Sequence, residues 1–203
     1  MRYLPRFMQM VAAALLAAQV ACSSPNPDLY TIAPVPGATV TGAPKAIELR
    51  QIGLARYLER SQIVRSSENY RLDVMANDWW GEPLGAMLSR VLVEELSQRL
   101  PQSTVYTETG AVSVSPDATV ELNVSRLDEN TAGTLVLQAQ AAVVKGHGEP
   151  VTRGFRFEIP PSDSRIGGEV AAISVAVGQL ADGLAEMLAP GPAAVPSRAR
   201  RAR

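Results

Sequence analysis

The chain has 203 residues, with 19 Lys and Arg against 20 Asp and Glu, one His and one Cys. The near-balanced charge provides no electrostatic footprint for nucleic acid. One His and one Cys exclude the usual zinc and iron–sulfur ligand sets, and the length suits a single domain rather than two.

The first 21 residues read as a lipoprotein signal peptide. Arg2 and Arg6 form a positive start, an apolar run follows from about Met8 to Ala18, and the small residue Ala21 stands before Cys22. The run is too short for a comfortable membrane span. The order predicts cleavage between Ala21 and Cys22, with the Cys22 thiol acylated and the mature chain anchored to a membrane by acyl chains. Gln19 stands where Leu is commonest in such a motif. An ordinary secretory signal would leave a stray thiol in an oxidising compartment, a liability for a chain with no second cysteine. Ser23 and Ser24 follow where Asp would favour inner-membrane retention, so the expected location is the outer membrane, facing the periplasm.

Residues 22–45 read as a lipidated N-terminus and tether. They contain one short apolar piece, Leu29 to Ile32, able to pair as a strand, and then a loop rich in Pro, Gly and Thr from Ala33 to Pro44. The domain proper is expected over 46–189. Ala46 to Gln51 alternates, with Ile47 and Leu49 on one face, and predicts a half-buried strand. Leu54 to Arg60 fits either a helical turn or an irregular loop, and Gln62 to Arg65 fits a short strand. Tyr70, Leu72, Val74 and Ala76 alternate with polar residues and predict another. Trp79 and Trp80 follow; either one lies in the core and the other is available to a partner, or both cap the core edge.

Pro83 suits the first turn of a helix, and Glu82 places negative charge near the helix's positive end. Leu84, Met87, Leu88, Val91, Leu92, Leu96 and Leu100 recur at intervals of three and four, with Arg90, Glu94, Glu95, Gln98 and Arg99 expected mostly on the opposite side. Pro101 ends the helix, and Ser103 to Glu108 predicts a strand. Thr119–Leu127, Thr134–Val144 and Val151–Ile159 predict a meander. Arg126 breaks the alternation of the first run, as a bulge would. A last helix spans about 165–188. Ile166, Val170, Ile173, Val177, Leu180, Leu184 and Met187 form a narrow stripe of coiled-coil type, but four glycines at about 1 kcal/mol each favour a core helix packed on the sheet. Residues 190–203, with three prolines and four arginines, predict a disordered basic tail.

The element order predicts an α+β fold: one domain in which an antiparallel-rich mixed sheet is covered by two helices. Reactive chemistry is sparse. His147 lies between two glycines with no local nucleophile or orienting carboxylate, and neither a phosphate-binding nor a dinucleotide-binding glycine motif is present. Carboxylates are plentiful enough that composition does not exclude a glycosidase pair, but no acid stands out. The expected role is a non-catalytic binder or scaffold, with no metal and no cofactor.

Four sequence pieces together resemble the ABC-type transport auxiliary lipoprotein family (PqiC/YmbA-like). They are Tyr30-Thr31-Ile32 with Pro34; Ala55-Arg56-Tyr57-Leu58-Glu59-Arg60-Ser61-Gln62-Ile63-Val64-Arg65, with Ser61 in a proline position; Trp80-Gly81-Glu82-Pro83-Leu84; and Arg90-Val91-Leu92 with Leu96, where Glu95 replaces asparagine. The resemblance implies an accessory role, without catalytic residues, in transport systems built around an MCE-domain protein and its inner-membrane transporter components. Such systems move lipids or hydrophobic molecules between the two membranes and support envelope integrity. The expected partner surface comprises Tyr57, Leu58, Arg60, Gln62, Arg65, Trp79, Trp80 and Glu82. A homo-oligomer is compatible with this role. The alternative is a periplasmic lipoprotein that binds lipids or small molecules without an MCE partner, which would need an apolar cavity between sheet and helices.

Overall fold

The computed structural model describes residues 26–111 and 114–189. The expected leader, Cys22 and the basic tail lie outside the described residues. The architecture is α+β: a mixed sheet of nine strands with two helices, forming a single domain.

The sheet is organised around its longest strand, β7 (Ala118–Glu129). On one edge β7 pairs antiparallel with β8 (Leu135–Lys145), which pairs antiparallel with β9 (Val151–Ile159). This is the expected meander. The pairs Val120↔Val143, Leu122↔Ala141 and Val124↔Ala139 place one apolar face inward. The register shifts between Val124 and Arg126, the bulge that Arg126 signals in the sequence. The extra residue returns Leu127 to the core and leaves the neighbouring Asp128 wholly buried.

On its other edge β7 meets three short strands laid end to end and parallel to it: β2 (Ala46–Leu49), β3 (Gly53–Leu54) and β4 (Gln62–Ser66). A 3-10 turn at Arg56–Leu58 joins the last two. β6 (Thr104–Thr107) lies parallel to β2. β5 (Asp73–Trp80) pairs antiparallel with β4, and β1 (Asp28–Tyr30) runs parallel to β5 on its free side.

Helix α1 (Leu84–Arg99) and helix α2 (Ile166–Leu188) pack against each other and the sheet. The seven apolar positions of the α1 stripe are all buried. In α2, sixteen of 23 residues are buried, including Ala172, Ala176, Ala181 and Ala185. That face is wider than a coiled-coil seam, so α2 is a core helix. It has the length and apolarity of a membrane span, but two-thirds of its apolar window is buried inside the domain. Gly183 allows this contact, because a Cβ there would overlap the Phe155 ring of β9.

Two local expectations differ. Tyr70 and Leu72 do not belong to a strand: Asn69 and Tyr70 have φ of 56° and 62°, and Arg71 N–H donates to Glu68 O at 3.2 Å. Two consecutive left-handed residues make the tight turn that joins β4 to β5, so β5 starts only at Asp73. Glu95 and Arg99 are not on a solvated side of α1; each is 1% exposed. The segment 31–43 covers them. Read in the sequence as a tether, it lies across both helices, with Ile32 in the core. Ile32 N–H points to Met87 Sδ, Ala33 N–H donates to Ser174 Oγ, and Val35 N–H donates to Glu95 Oε1 at 2.8 Å. Gly37 N–H donates to Gln98, and Val40 N–H to Arg99 O at 2.7 Å.

Candidate functional site

The residues singled out in the sequence gather along the β4–β5 flank and the start of α1, and they divide by role. Leu58 (4% exposed) and Trp80 (8%) are core residues. They present almost no surface to a partner, because Leu58 anchors the 3-10 turn and Trp80 closes β5 against the sheet. Trp80 N–H donates to Ser61 O at 2.7 Å, locking the turn to the end of β5.

Tyr57 is half-buried, and its hydroxyl donates to Asp128 Oδ2 at 2.6 Å. Asp128 also accepts from Arg126 Nε at 2.8 Å, and Arg126 pairs with Glu68 at 2.6 Å. Burial and the adjacent carboxylate push the Tyr57 phenol above its ordinary range. This chain of bonds fastens the 55–60 segment to the sheet beyond the bulge. Arg60 remains exposed, with Nε donating to Tyr57 O.

Gln62 stands opposite Trp79 in the β4–β5 register. Trp79 is half-buried, and its indole N–H donates to Ala76 O at 3.0 Å. Glu82 pairs with Arg90 of α1 at 2.6 Å. Arg65 points the other way, to α2: it donates to Ser164 O, and its Nε lies 3.8 Å from Glu169 Oε2. Glu169 is 1% exposed, and neither of its oxygens has a hydrogen-bond partner among the described residues. Burial, reinforced by Glu129, raises its pKa to about 8 against the opposing pull of Arg65. At neutral pH this carboxyl is largely protonated.

Beside this flank an open cleft of about 790 Å³ lies between the start of α1, the β2–β3 segment and the β6 end. Its walls include Ile52, Leu54, Ala86 and Val93, with Glu59, Arg90 and Glu108 among its polar lining. Behind it the sheet–helix interior is filled by residues that are almost fully buried, such as Met87, Leu92, Val120 and Leu180. The cleft is a surface feature, not a cavity between the layers.

A second polar cluster pins the 31–43 segment. Arg99 Nε donates to Asp182 Oδ1 at 2.6 Å, and its other nitrogens donate to Val35 O, Glu95 O and Gly178 O. Burial raises the Glu95 pKa to about 7, opposed by the Val35 N–H and the Arg99 charge. Sequence reasoning missed this cluster, together with Asp128 and Glu169. The available signal was an acid and a base four residues apart bordering the α1 stripe. Nothing in the periodicity showed which segment would cover them.

Among the described residues no group of three or more His, Cys, Asp or Glu is arranged to hold a metal ion. His147 is exposed in the β8–β9 turn. The flank can therefore offer shape, an indole edge, charged tips and an apolar cleft.

A family model described as "ABC-type transport auxiliary lipoprotein component" matches residues 30–185. A solved structure of an uncharacterised protein superposes with a TM-score of 0.69 at 17% identity, over 81% of this chain and 100% of that one. A Xanthomonas campestris protein of family DUF330 superposes with a TM-score of 0.65 at 16% identity, over 79% of this chain and 94% of that one. At these identities the structural likeness concerns the fold. No curated protein matches the chain.

Proposed function

Because this chain belongs to the ABC-type transport auxiliary lipoprotein family, we propose that it is the lipid-anchored accessory subunit of an MCE-type transport system. It is held at the outer membrane through acylated Cys22 and faces the periplasm. Its partners are an MCE-domain protein and the associated inner-membrane components, and the cargo class is lipid or another hydrophobic molecule. The observation that carries this reading is the family match over residues 30–185, from the last residue of β1 to the final turn of α2. The partner surface is the β4–β5 flank: Tyr57, Arg60, Gln62, Arg65, Trp79 and Glu82, with Leu58 and Trp80 holding it rigid from below. A half-buried indole beside charged rims has the composition of interface anchors.

The test is a pull-down of the full-length, tagged chain from solubilised membranes. Recovery of an MCE-domain protein, reduced by Trp79→Ala or Arg60→Glu, is the expected result. Clean solubilisation with no such protein recovered refutes the reading. The alternative, a carrier that binds lipids or small molecules on its own, needs an apolar cavity between sheet and helices, and among the described residues that interior is filled.

A further inference from the structure

We propose that the turn between β4 and β5 touches the lipid bilayer, seating Tyr70 and Leu72 in the headgroup region beside the acylated Cys22. The proposal rests on the lipid anchor described above and adds the orientation of the domain on the membrane.

Three observations converge. First, Tyr70 is completely exposed and Leu72 is 37% exposed. They are two of the six large hydrophobic residues exposed among the described residues, and they lie together in one turn. Second, Tyr70 adopts φ 62° at a turn position that Gly or Asn normally fills. A bulky aromatic in that conformation is strained, and no hydrogen bond of its hydroxyl compensates among the described residues. Strain that presents an aromatic ring to the outside fits a ring that inserts elsewhere. Tyrosine, with its apolar body and polar tip, suits a membrane–water interface, and the exposed Arg71 beside it suits phosphate headgroups.

Third, the chain leading to the anchor is short, and β1 begins on its turn-facing side. The 31–43 segment is fixed on the helices, so only the residues before β1 separate the domain from Cys22. β1 runs parallel to β5, with Asp28 opposite Asp78. The N-terminal end of β1 therefore points along β5 toward the turn. Cys22 precedes Asp28 by the same number of residues as Leu72 precedes Asp78, a chain reach of about 20 Å in each case. The anchoring sulfur and the turn can thus occupy one plane, and the short reach holds the domain near the bilayer rather than letting it range through the periplasm.

The test uses the acylated full-length protein reconstituted into vesicles of phosphatidylethanolamine and phosphatidylglycerol. Acylation blocks Cys22, so a single introduced cysteine can carry an environment-sensitive fluorophore. Tyr70→Cys is compared with Val151→Cys, which is exposed at the start of β9. The label at 70 should shift to the blue, brighten several-fold, lose intensity to a lipid-borne quencher and resist aqueous iodide; the label at 151 should do none of these. Protein that floats with the vesicles while both labels are equally open to iodide overturns the proposal and leaves the anchor intact. Protein that does not float with the vesicles overturns the anchor, and this orientation with it. A circular-dichroism melt of each labelled variant that matches the unlabelled protein establishes that the turn changes have not unfolded the domain.

Discussion

Arg99→Met tests whether the buried guanidinium holds the 31–43 segment onto the helices. Arg99 is 1% exposed and donates to the Asp182 carboxylate and to the carbonyls of Val35, Glu95 and Gly178. Methionine fills much of the same volume, so the cavity term is small. Asp182 is 49% exposed and regains water when the guanidinium goes. The Gly178 carbonyl keeps its partner within α2, whereas the carbonyl of half-buried Val35 loses the guanidinium, at a cost of about 1–3 kcal/mol. Glu95 loses the cation that opposes its desolvation, which adds to the cost. A total of about 2–3 kcal/mol is a large share of a small domain's stability. The assay is urea unfolding of residues 22–203 carrying Cys22→Ser, with limited proteolysis to report cleavage between 33 and 43. Asp182→Asn serves as a control, since it leaves an acceptor in place on a half-exposed site and should cost about 1 kcal/mol or less. An Arg99→Met loss below about 1 kcal/mol, with no new cleavage in 33–43, would refute the clamp.

Glu169 and Glu95 have pKa values raised by burial to about 8 and about 7, against 4.5 for an ordinary Glu. The folded state therefore holds more protons than the unfolded state between about pH 4.5 and 8, and stability falls as pH rises through that window. Glu169→Gln should flatten the decline and raise the urea midpoint at about pH 9; unchanged slopes would count against the protonated, buried carboxyl. Gly37→Ala places a Cβ on the Arg99 guanidinium and should cost about 1–3 kcal/mol by the same denaturation measurement. Tyr57→Phe removes the 2.6 Å bond to the fully buried Asp128 and should cost about 1–3 kcal/mol. Its amide exchange should rise at 55–60 before it rises in β7 and β8, and uniform protection across both regions would speak against a local fastening.

Much of the fold was legible because it rests on local periodicity. The α1 stripe, the meander of β7, β8 and β9 and the bulge at Arg126 follow from side chains whose spacing matches one helix face or one sheet face. The core reading of α2 followed from its glycines, and Gly183 against Phe155 supplies the contact that explains one of them. The flank was only partly legible. Of the paired tryptophans Trp80 is core and Trp79 half-buried, a division the pair alone left open, and Leu58 carried no sign of being core within its irregular segment. Tyr70 fitted an alternating run, and only its backbone dihedrals show that it belongs to a turn.

By itself, the sequence determined which stretches would be helix or strand, which faces would be apolar, and which family the chain resembles. These depend on neighbours within a few residues along the chain. Tertiary structure decided which polar side chains would be buried, and so where the domain would be rigid. Glu95 and Arg99 meet Val35 and Asp182 across 60 and 83 residues of chain. Whether a charge lies in water or beneath another segment depends on what folds over it, and no local pattern encodes that partner.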